Sequence, residues 1–472
     1  MLTVEPFSDG SLRRMLPCLR AAAPRVSDLT PGLLYMWQEG ADIRFFVRDD
    51  TFSVCQTVGD QISFSYPVGA DPYGMVGELL EYTRENSLPL RFFAVDSETL
   101  RVIGADERLR PMMSAFSRRW SDYIYAFSDV STFAGRRYSG QRNHINRFTK
   151  LYGEPRVRLL SFADRPAVTA MLDEYEKEHP GRTLLEDMEL AATRRLLDAP
   201  ESFGLFGACI EVGGLIAAFS IGEVCGDTLF IHVEKALRRY EGAYPAMFRG
   251  FVRLAGEMYG GKIAYVDRED DSGDPGLRMS KLQYHPVEVR DKYLVHVHSP
   301  ARAVYGRLPV LRGRGAVLTP IFERDREAYL AINTDTENNR MWGYDYREDI
   351  NITQPPDADT FYESVMTDQK AGDSVNFAIR TDEDGPMIGE GIIWQFTEDG
   401  GAEIGCRVVP EYHGRGIGRE AFGMLTEFAE KTLGVRCRAR CLPENTASKR
   451  MIEGNGFAAA GESDGYIRFE KR

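Results

Sequence analysis

The chain has 472 residues, 43% of them hydrophobic, and a formal net charge of −13. That length exceeds what one hydrophobic core usually serves, so two to four domains are expected, and the acidic balance excludes broad, non-specific attachment to nucleic acid while leaving room for a local basic face. The seven cysteines form no CxxC pair and no zinc spacing with histidine, and no apolar run approaches the roughly 18 residues of a membrane span; reduced thiols, no metal and a cytoplasmic location are the expectations.

Residues 1–129 alternate strand and helix patterns: IRFFVRDD, TFSVCQTV and QISFSYPVG, then the helix YGMVGELLEYTREN and the strand LRFFAVD. This order suits an α/β (α+β) module with a mixed sheet, and no catalytic signature stands out in it. Residues 130–150 interleave Arg137, Arg142 and Arg147 with Tyr138, Ile145 and Phe148. The spacing predicts an amphipathic helix with a basic face, either a solvated surface or a contact for phosphate or RNA.

Residues 130–300 read as a second module, with strands near FGLFGACIE, LIAAFSIGEV and TLFIHVEK, the helix AYPAMFRGFVRLAGEMYG and the strand KIAYVDRED. A stretch with Pro, Gly and four arginines makes 301–314 the linker candidate, and 315–472 repeats the same order of elements. An offset of 174 lays Gly416 on Gly242 and the two following helices on one another; an offset of 171 lays ASKRMIEGNGF on GLRMSKLQYHP. The expectation is one fold used twice, with 1–129 as a third, more eroded copy.

The chemistry concentrates in 401–457. A strand is followed by a turn rich in glycine and arginine and by an amphipathic helix over about 416–433. Gly414, Gly416 and Gly418 let backbone N–H groups approach a ligand, the helix start adds partial positive charge, and Arg415 and Arg419 add full charges, so a pyrophosphate would fit. With period 2, Glu403, Gly405 and Arg407 share one strand face. Glu403 is the candidate base, the alternative being a solvent-facing carboxylate. Cys437 and Cys441 alternate on a strand and read as core. In the upstream copy Tyr244 and Pro245 follow the glycine, so that cradle is lost.

These residues carry two resemblances. Residues 403–457 resemble the GCN5-related N-acetyltransferases, most closely the branch acetylating ribosomal-protein N-termini. The resemblance implies acetyl-CoA (or another acyl-CoA) as co-substrate, with its pyrophosphate on His413, Gly414, Arg415, Gly416, Ile417 and Gly418. It also implies a strand edge reaching Val408 and Val409, and further CoA contacts at Asn445 and Ser448. His413 departs from the usual Arg or Gln. Relatives often carry a tyrosine as general acid where this chain has Ile452, and Trp342 and Tyr344 fall where relatives shape the acceptor pocket.

The run RRYSGQRNHINRF, HVEKA and YVDREDDSGDPGLRMSKLQYHP resemble the soluble domain of phosphatidylglycerol lysyltransferases, a tandem of two acetyltransferase-like folds. That resemblance implies an ammonium site at Asp267, Arg268, Glu269, Asp270 and Asp271, with Arg278 and Lys281 toward phosphate or carboxylate, and tRNA on Arg142 and Arg147. An acidic turn neutralised by its own arginines is the alternative there. His232, Glu234 and Lys235 form a further polar cluster, either a crevice site or a structural network. The combined expectation is three acetyltransferase-like modules, the last acetylating a primary amine of a small molecule or peptide. The runner-up functions are an aminoacyl-tRNA-dependent transferase, or an N-terminal pair that only binds a substrate or peptide.

Overall fold

The protein is described here from a computed structural model covering residues 2–471 apart from 59–60, 111, 181, 200–202, 349–354 and 398–399. It is built on three mixed sheets flanked by helices. In chain-independent order the first holds Thr3–Pro6, Asp42–Arg48, Thr51–Val58, Gln61–Ser65, Leu90–Val95, Tyr293–His298 and Met113–Phe116, with Val68–Gly69 beside Thr51–Val58. The second runs Glu288–Arg290, Asp122–Ala126, Tyr265–Asp267, Thr228–Ala236, Leu215–Cys225, Phe206–Val212 and Val157–Leu159. The third begins at Leu311–Arg312 and Val317–Pro320 and continues through Val375–Arg380, Gly389–Trp394, Gly401–Val408 and Arg436–Cys441 to Tyr466–Lys471 and Phe457–Ser463.

Each sheet is antiparallel except at one central pair. The parallel pairs are 64–65 with 92–93, 228–230 with 265–267, and 401–403 with 436–438. In the third sheet both strands run on beyond this short ladder without pairing to one another, which leaves unpaired backbone at its centre. The strand before residue 129, Asp122–Ala126, pairs in the second sheet, while Tyr293–His298, from the end of the second segment, pairs in the first. The first two modules are therefore laced together by exchanged strands, so a cut at 129/130 does not follow the sheets, whereas none of the three sheets crosses 300/301.

Local sequence explains the elements. In the helix Ile417–Phe428, Ile417, Ala421, Phe422, Leu425 and Phe428 are buried against the third sheet, spaced as one apolar stripe. Each large apolar side chain so buried contributes about 1.5–3 kcal/mol. Val375–Arg380 is buried on both faces, as its VNFAIR run suggests. Residues 130–150 do not form one helix: Phe127–Thr132 ends on Phe133 at φ 51°, Gly135 takes φ 84°, and a new helix spans Ser139–Tyr152. Arg137 thus lies on the short turn Arg136–Tyr138, off the helix that carries Arg142 and Arg147. The expected linker is packed: Ala301, Val304, Leu308 and Leu311 join the C-terminal core, and Ser299 Oγ donates to Gly372 O at 2.7 Å. Among the described residues no helix is long and apolar enough to cross a membrane.

Candidate active site

In each sheet a helix starts after the strand that opens the parallel pair, and the three starts differ in what occupies them. In the first module, Pro72–Glu85 is capped by Asp71, whose carboxylate accepts from Gly74 N at 2.9 Å and pairs with Arg48 at 2.7 Å. A carboxylate there repels an incoming phosphate. In the second, Ala243–Tyr259 begins on Gly242 at φ 83°, and a Cβ on that glycine would lie 2.1 Å from His144 O of Ser139–Tyr152. This glycine serves helix packing. In the third, Ile417–Phe428 begins on Gly416 at φ 79° with no side-chain cap. Gly414 also has φ 73°, and a Cβ at either position would meet nothing within 4 Å.

The third start is thus the open one, with amide groups free of a side-chain cap and the dipole of a 12-residue helix behind them. The predicted loop residues gather around it. His413 Nε2 lies 2.7 Å from Val408 O, Arg415 donates to Glu411 O and rests over Tyr412, and Arg419 donates to Gly454 O at 2.9 Å. Val409 N donates to Ile388 O at 2.9 Å. A Cβ on Gly418 would sit 3.6 Å from Met451 Sδ and 3.8 Å from Val408, so this glycine lines the gap between the parted strands. Asn445 caps Thr446–Glu453, its Oδ1 accepting from Ser448 N at 3.0 Å while Nδ2 donates to Met341 O. Asn445, expected as a CoA contact, thus serves in this structure as a helix N-cap. Cys437 and Cys441 are core, as is Cys406; burial pushes the Cys406 and Cys437 thiols up to about 12.

On the strand face of Glu403, Gly405 and Arg407 the structure assembles more than the periodicity suggests. Glu403 is buried, not solvent-facing, and pairs with Arg440 Nε at 3.1 Å; Arg440 rests 5.0 Å over the Tyr466 ring. A Cβ on Gly405 would fall 2.5 Å from the Trp342 ring and 2.9 Å from Trp394, so both indoles close over bare backbone. Arg407 reaches Glu390 at 2.7 Å and Asn333 and Asn339 at 2.8 Å, and Tyr329 donates to Glu390 at 2.6 Å. Sequence reasoning misses Glu390, Tyr329, Trp394, Arg440 and Tyr466. The one visible signal is the pair of charged residues, Glu403 and Arg407, on a strand whose other residues are apolar or glycine. Ile452 points into the core, so no hydroxyl stands at the position of the relatives' acid. Tyr344 packs beside the smaller cluster of Tyr329 and Phe361.

In the N-terminal pair the DREDD charges are compensated from within. Arg268 pairs with Glu234 at 2.9 Å inside a cage of Phe248 and Tyr284. Glu269, at φ 59°, turns its carboxylate to His232 Nδ1 at 2.7 Å, and Glu223 meets His232 Nε2 at 2.9 Å. Burial works to lower the His232 pKa, but the hydrogen bonds and charges of Glu223 and Glu269 outweigh it and raise it to about 10. Lys292 reaches Asp28 at 2.6 Å, Asp122 at 2.9 Å and Asp270 at 3.6 Å. Burial disfavours its ammonium, yet those carboxylates hold its pKa well above the ordinary value. Asp271 is held by Arg278 at 2.7 and 2.9 Å and by Tyr123 at 2.6 Å.

Lys281, expected to face a ligand, is buried and donates to the carbonyls of Arg268, Glu269 and Asp270, fixing the loop from beneath. Asp267 keeps one carboxylate oxygen without a hydrogen-bond partner among the described residues, and burial with the nearby Asp122 charge pushes its pKa well up. On the expected basic face, Arg147 pairs with Glu241, Arg137 with Asp129 at 2.6 Å, and Arg142 donates to Phe133 O and Gly135 O. Lys235 pairs with Glu189 at 2.8 Å.

Comparison with known proteins matches this geometry in two parts. The family described as phosphatidylglycerol lysyltransferase, C-terminal, matches residues 20–296, more than half of the chain. The chain belongs to that family. The laced pair is thus its lysyltransferase-type portion, and residues 316–458 match the acetyltransferase (GNAT) domain. A conserved protein of unknown function from Bacteroides thetaiotaomicron is 26% identical, with a TM-score of 0.56, covering 63% of this chain and all of its own. L-PGS from Bacillus licheniformis is 16% identical, with a TM-score of 0.46, over 62% of this chain and 92% of its own. An uncharacterised protein of Mycoplasmoides gallisepticum is 24% identical over 186 residues, 38% of this chain; the chain spans 56% of that relative. Together the lysyltransferase-type and GNAT matches support an acyltransferase. Among the described residues no group of three or more His, Cys, Asp or Glu could hold a metal ion.

Proposed function

We propose that the C-terminal domain transfers an acetyl group from acetyl-CoA to a primary amine of a small molecule or peptide, and that acetyl-CoA binds this chain once. The observation that carries the reading is the contrast among the three helix starts: a carboxylate at Asp71, a packed helix over Gly242, open backbone at Gly416. The pyrophosphate would lie on 413–418 with Arg415 and Arg419 beside it. The acyl arm would then run between the strands Gly401–Val408 and Arg436–Cys441, which pair only over 401–403 and 436–438. Backbone at Val408 and Val409, with Asn445 and Ser448 across the gap, would complete the cradle.

In the reaction the acceptor nitrogen forms the C–N bond, the thioester C–S bond breaks, and CoA leaves as its thiol. The ammonium first gives a proton to Glu403, directly or through water; after C–N bond formation the nitrogen releases its second proton to solvent, and the leaving thiolate takes one from solvent. Trp342 and Trp394 over Gly405 would exclude water from that side. A screen of thiol release across polyamines, amino acids, aminoglycosides and N-terminal peptides tests the proposal, with Glu403→Gln as the control. That variant should keep acetyl-CoA binding and lose about 10²-fold or more in kcat. Release on no acceptor, or an unaffected variant, contradicts it.

Family membership favours a second activity, aminoacyl transfer from charged tRNA by the N-terminal pair. The incoming ammonium would displace Lys292 from Asp122 and Asp270, or take the unpartnered oxygen of Asp267.

A further inference from the structure

Between the first sheet and the C-terminal domain lies a cavity of about 320 Å³, walled by Gln61 and Arg91 on one side and by Asp373, Trp394, Gln395 and Phe396 on the other. Arg91 is 4% exposed. Its Nη1 stands 3.0 Å from Asp373 Oδ1, but Arg91 Nε and Asp373 Oδ1 have no hydrogen-bond partner among the described residues. The two charges therefore touch without a well-aligned bond. Burial lowers the Arg91 pKa against the pull of Asp373, and burial raises that of Asp373 against the pull of Arg91. A buried guanidinium that lines a cavity and keeps a donor without a partner is an incomplete arrangement that a carboxylate completes.

The cavity also adjoins the acceptor face. Its Trp394 is the indole that closes over Gly405, and in the ladder Trp394 stands opposite Glu403. Trp394 thus borders both the cavity beside Arg91 and the strand face that carries Glu403. A purely anionic ligand would be opposed by Asp373 and a purely cationic one by Arg91; a molecule bearing both charges suits the pair.

We propose that this cavity binds the carboxylate of the acetyl acceptor on Arg91, so that the acceptor is an amine that also carries a carboxylate, an amino acid or short peptide. The first module thereby completes the acceptor site of the C-terminal domain. This rests on reading that domain as an amine acetyltransferase.

The test uses the full chain and three matched pairs differing only in the carboxylate: lysine with cadaverine, ornithine with putrescine, arginine with agmatine. Binding is read by calorimetry and acetylation by thiol release. Loss of a charge-assisted bond predicts about a tenfold to hundredfold preference for the carboxylated member of at least one pair. In Arg91→Gln the ratio should collapse toward one. Val58→Trp fills the mouth from a side chain 52% exposed, so folding is retained, and should weaken the amino acid by a similar factor. Absence of preference in all three pairs, or a preference that both variants leave intact, overturns the proposal. Arg91-dependent lysine binding without acetyl transfer would keep the cavity and discard the acetyltransferase reading; transfer to diamines and amino acids alike would do the reverse.

Discussion

Replacing His232 by Gln should flatten the dependence of stability on pH in a defined window. His232 is buried between Glu223 and Glu269, at 2.9 and 2.7 Å, and its pKa is raised to about 10. In the unfolded chain an imidazole titrates near about 6.5. The folded value lies above the unfolded one, so the contribution is fully present below pH about 6.5 and is lost as pH rises toward 10. Within that window one such group changes stability by up to about 1.4 kcal/mol per pH unit, hence on the order of 2–3 kcal/mol between pH 7 and 9. Urea unfolding of wild type and His232→Gln at both pH values isolates the effect, because titrations shared by the two proteins cancel in the difference. The wild type should lose its advantage over the variant by that amount on going to pH 9. A difference independent of pH would refute the protonated triad and with it the charge balance of the DREDD loop.

Two other outcomes follow from the same geometry. Gly242→Ala should cost about 2–5 kcal/mol in thermal or denaturant unfolding, combining a left-handed non-glycine residue with overpacking against His144 O; Gly416→Ala, with open space at its Cβ, should cost only the left-handed share of about 1–2 kcal/mol. Equal costs would mean that the two helix starts are not different after all. Binding of charged tRNA, measured against salt, should show a shallow log–log slope of about −1 to −2 and little response to Arg142→Ala with Arg147→Ala, since Arg147 already pairs with Glu241 and Arg142 with backbone carbonyls. A slope steeper than about −4 that these substitutions reduce would instead establish tRNA contact on this face.

Much of this was legible because it is local. The glycines at 242 and 416 share a spacing to their helices that survives divergence, and both adopt φ near 80° at the helix start. The apolar stripe of Ile417–Phe428 follows from its period alone. The lacing of the first two modules was not legible, because Asp122–Ala126 and Tyr293–His298 have ordinary strand patterns and a strand does not encode which sheet it joins. The networks around Arg407 and His232 escaped for a related reason. Their members, Glu390, Tyr329 and Asn339 in one and Glu223 and Glu269 in the other, come from separate elements and meet only when the sheets form. The break in residues 130–150 turned on Phe133 entering the left-handed region, a conformation that propensity assigns to glycine or asparagine.

The central claim is that one helix start of three accepts CoA. Calorimetry with acetyl-CoA on the wild type and on Gly416→Trp tests it most directly. The account predicts one acetyl-CoA per chain for the wild type and none for the variant, whose indole would stand where the backbone must meet the pyrophosphate. No binding by the wild type, two sites per chain, or equal binding by both proteins would contradict it.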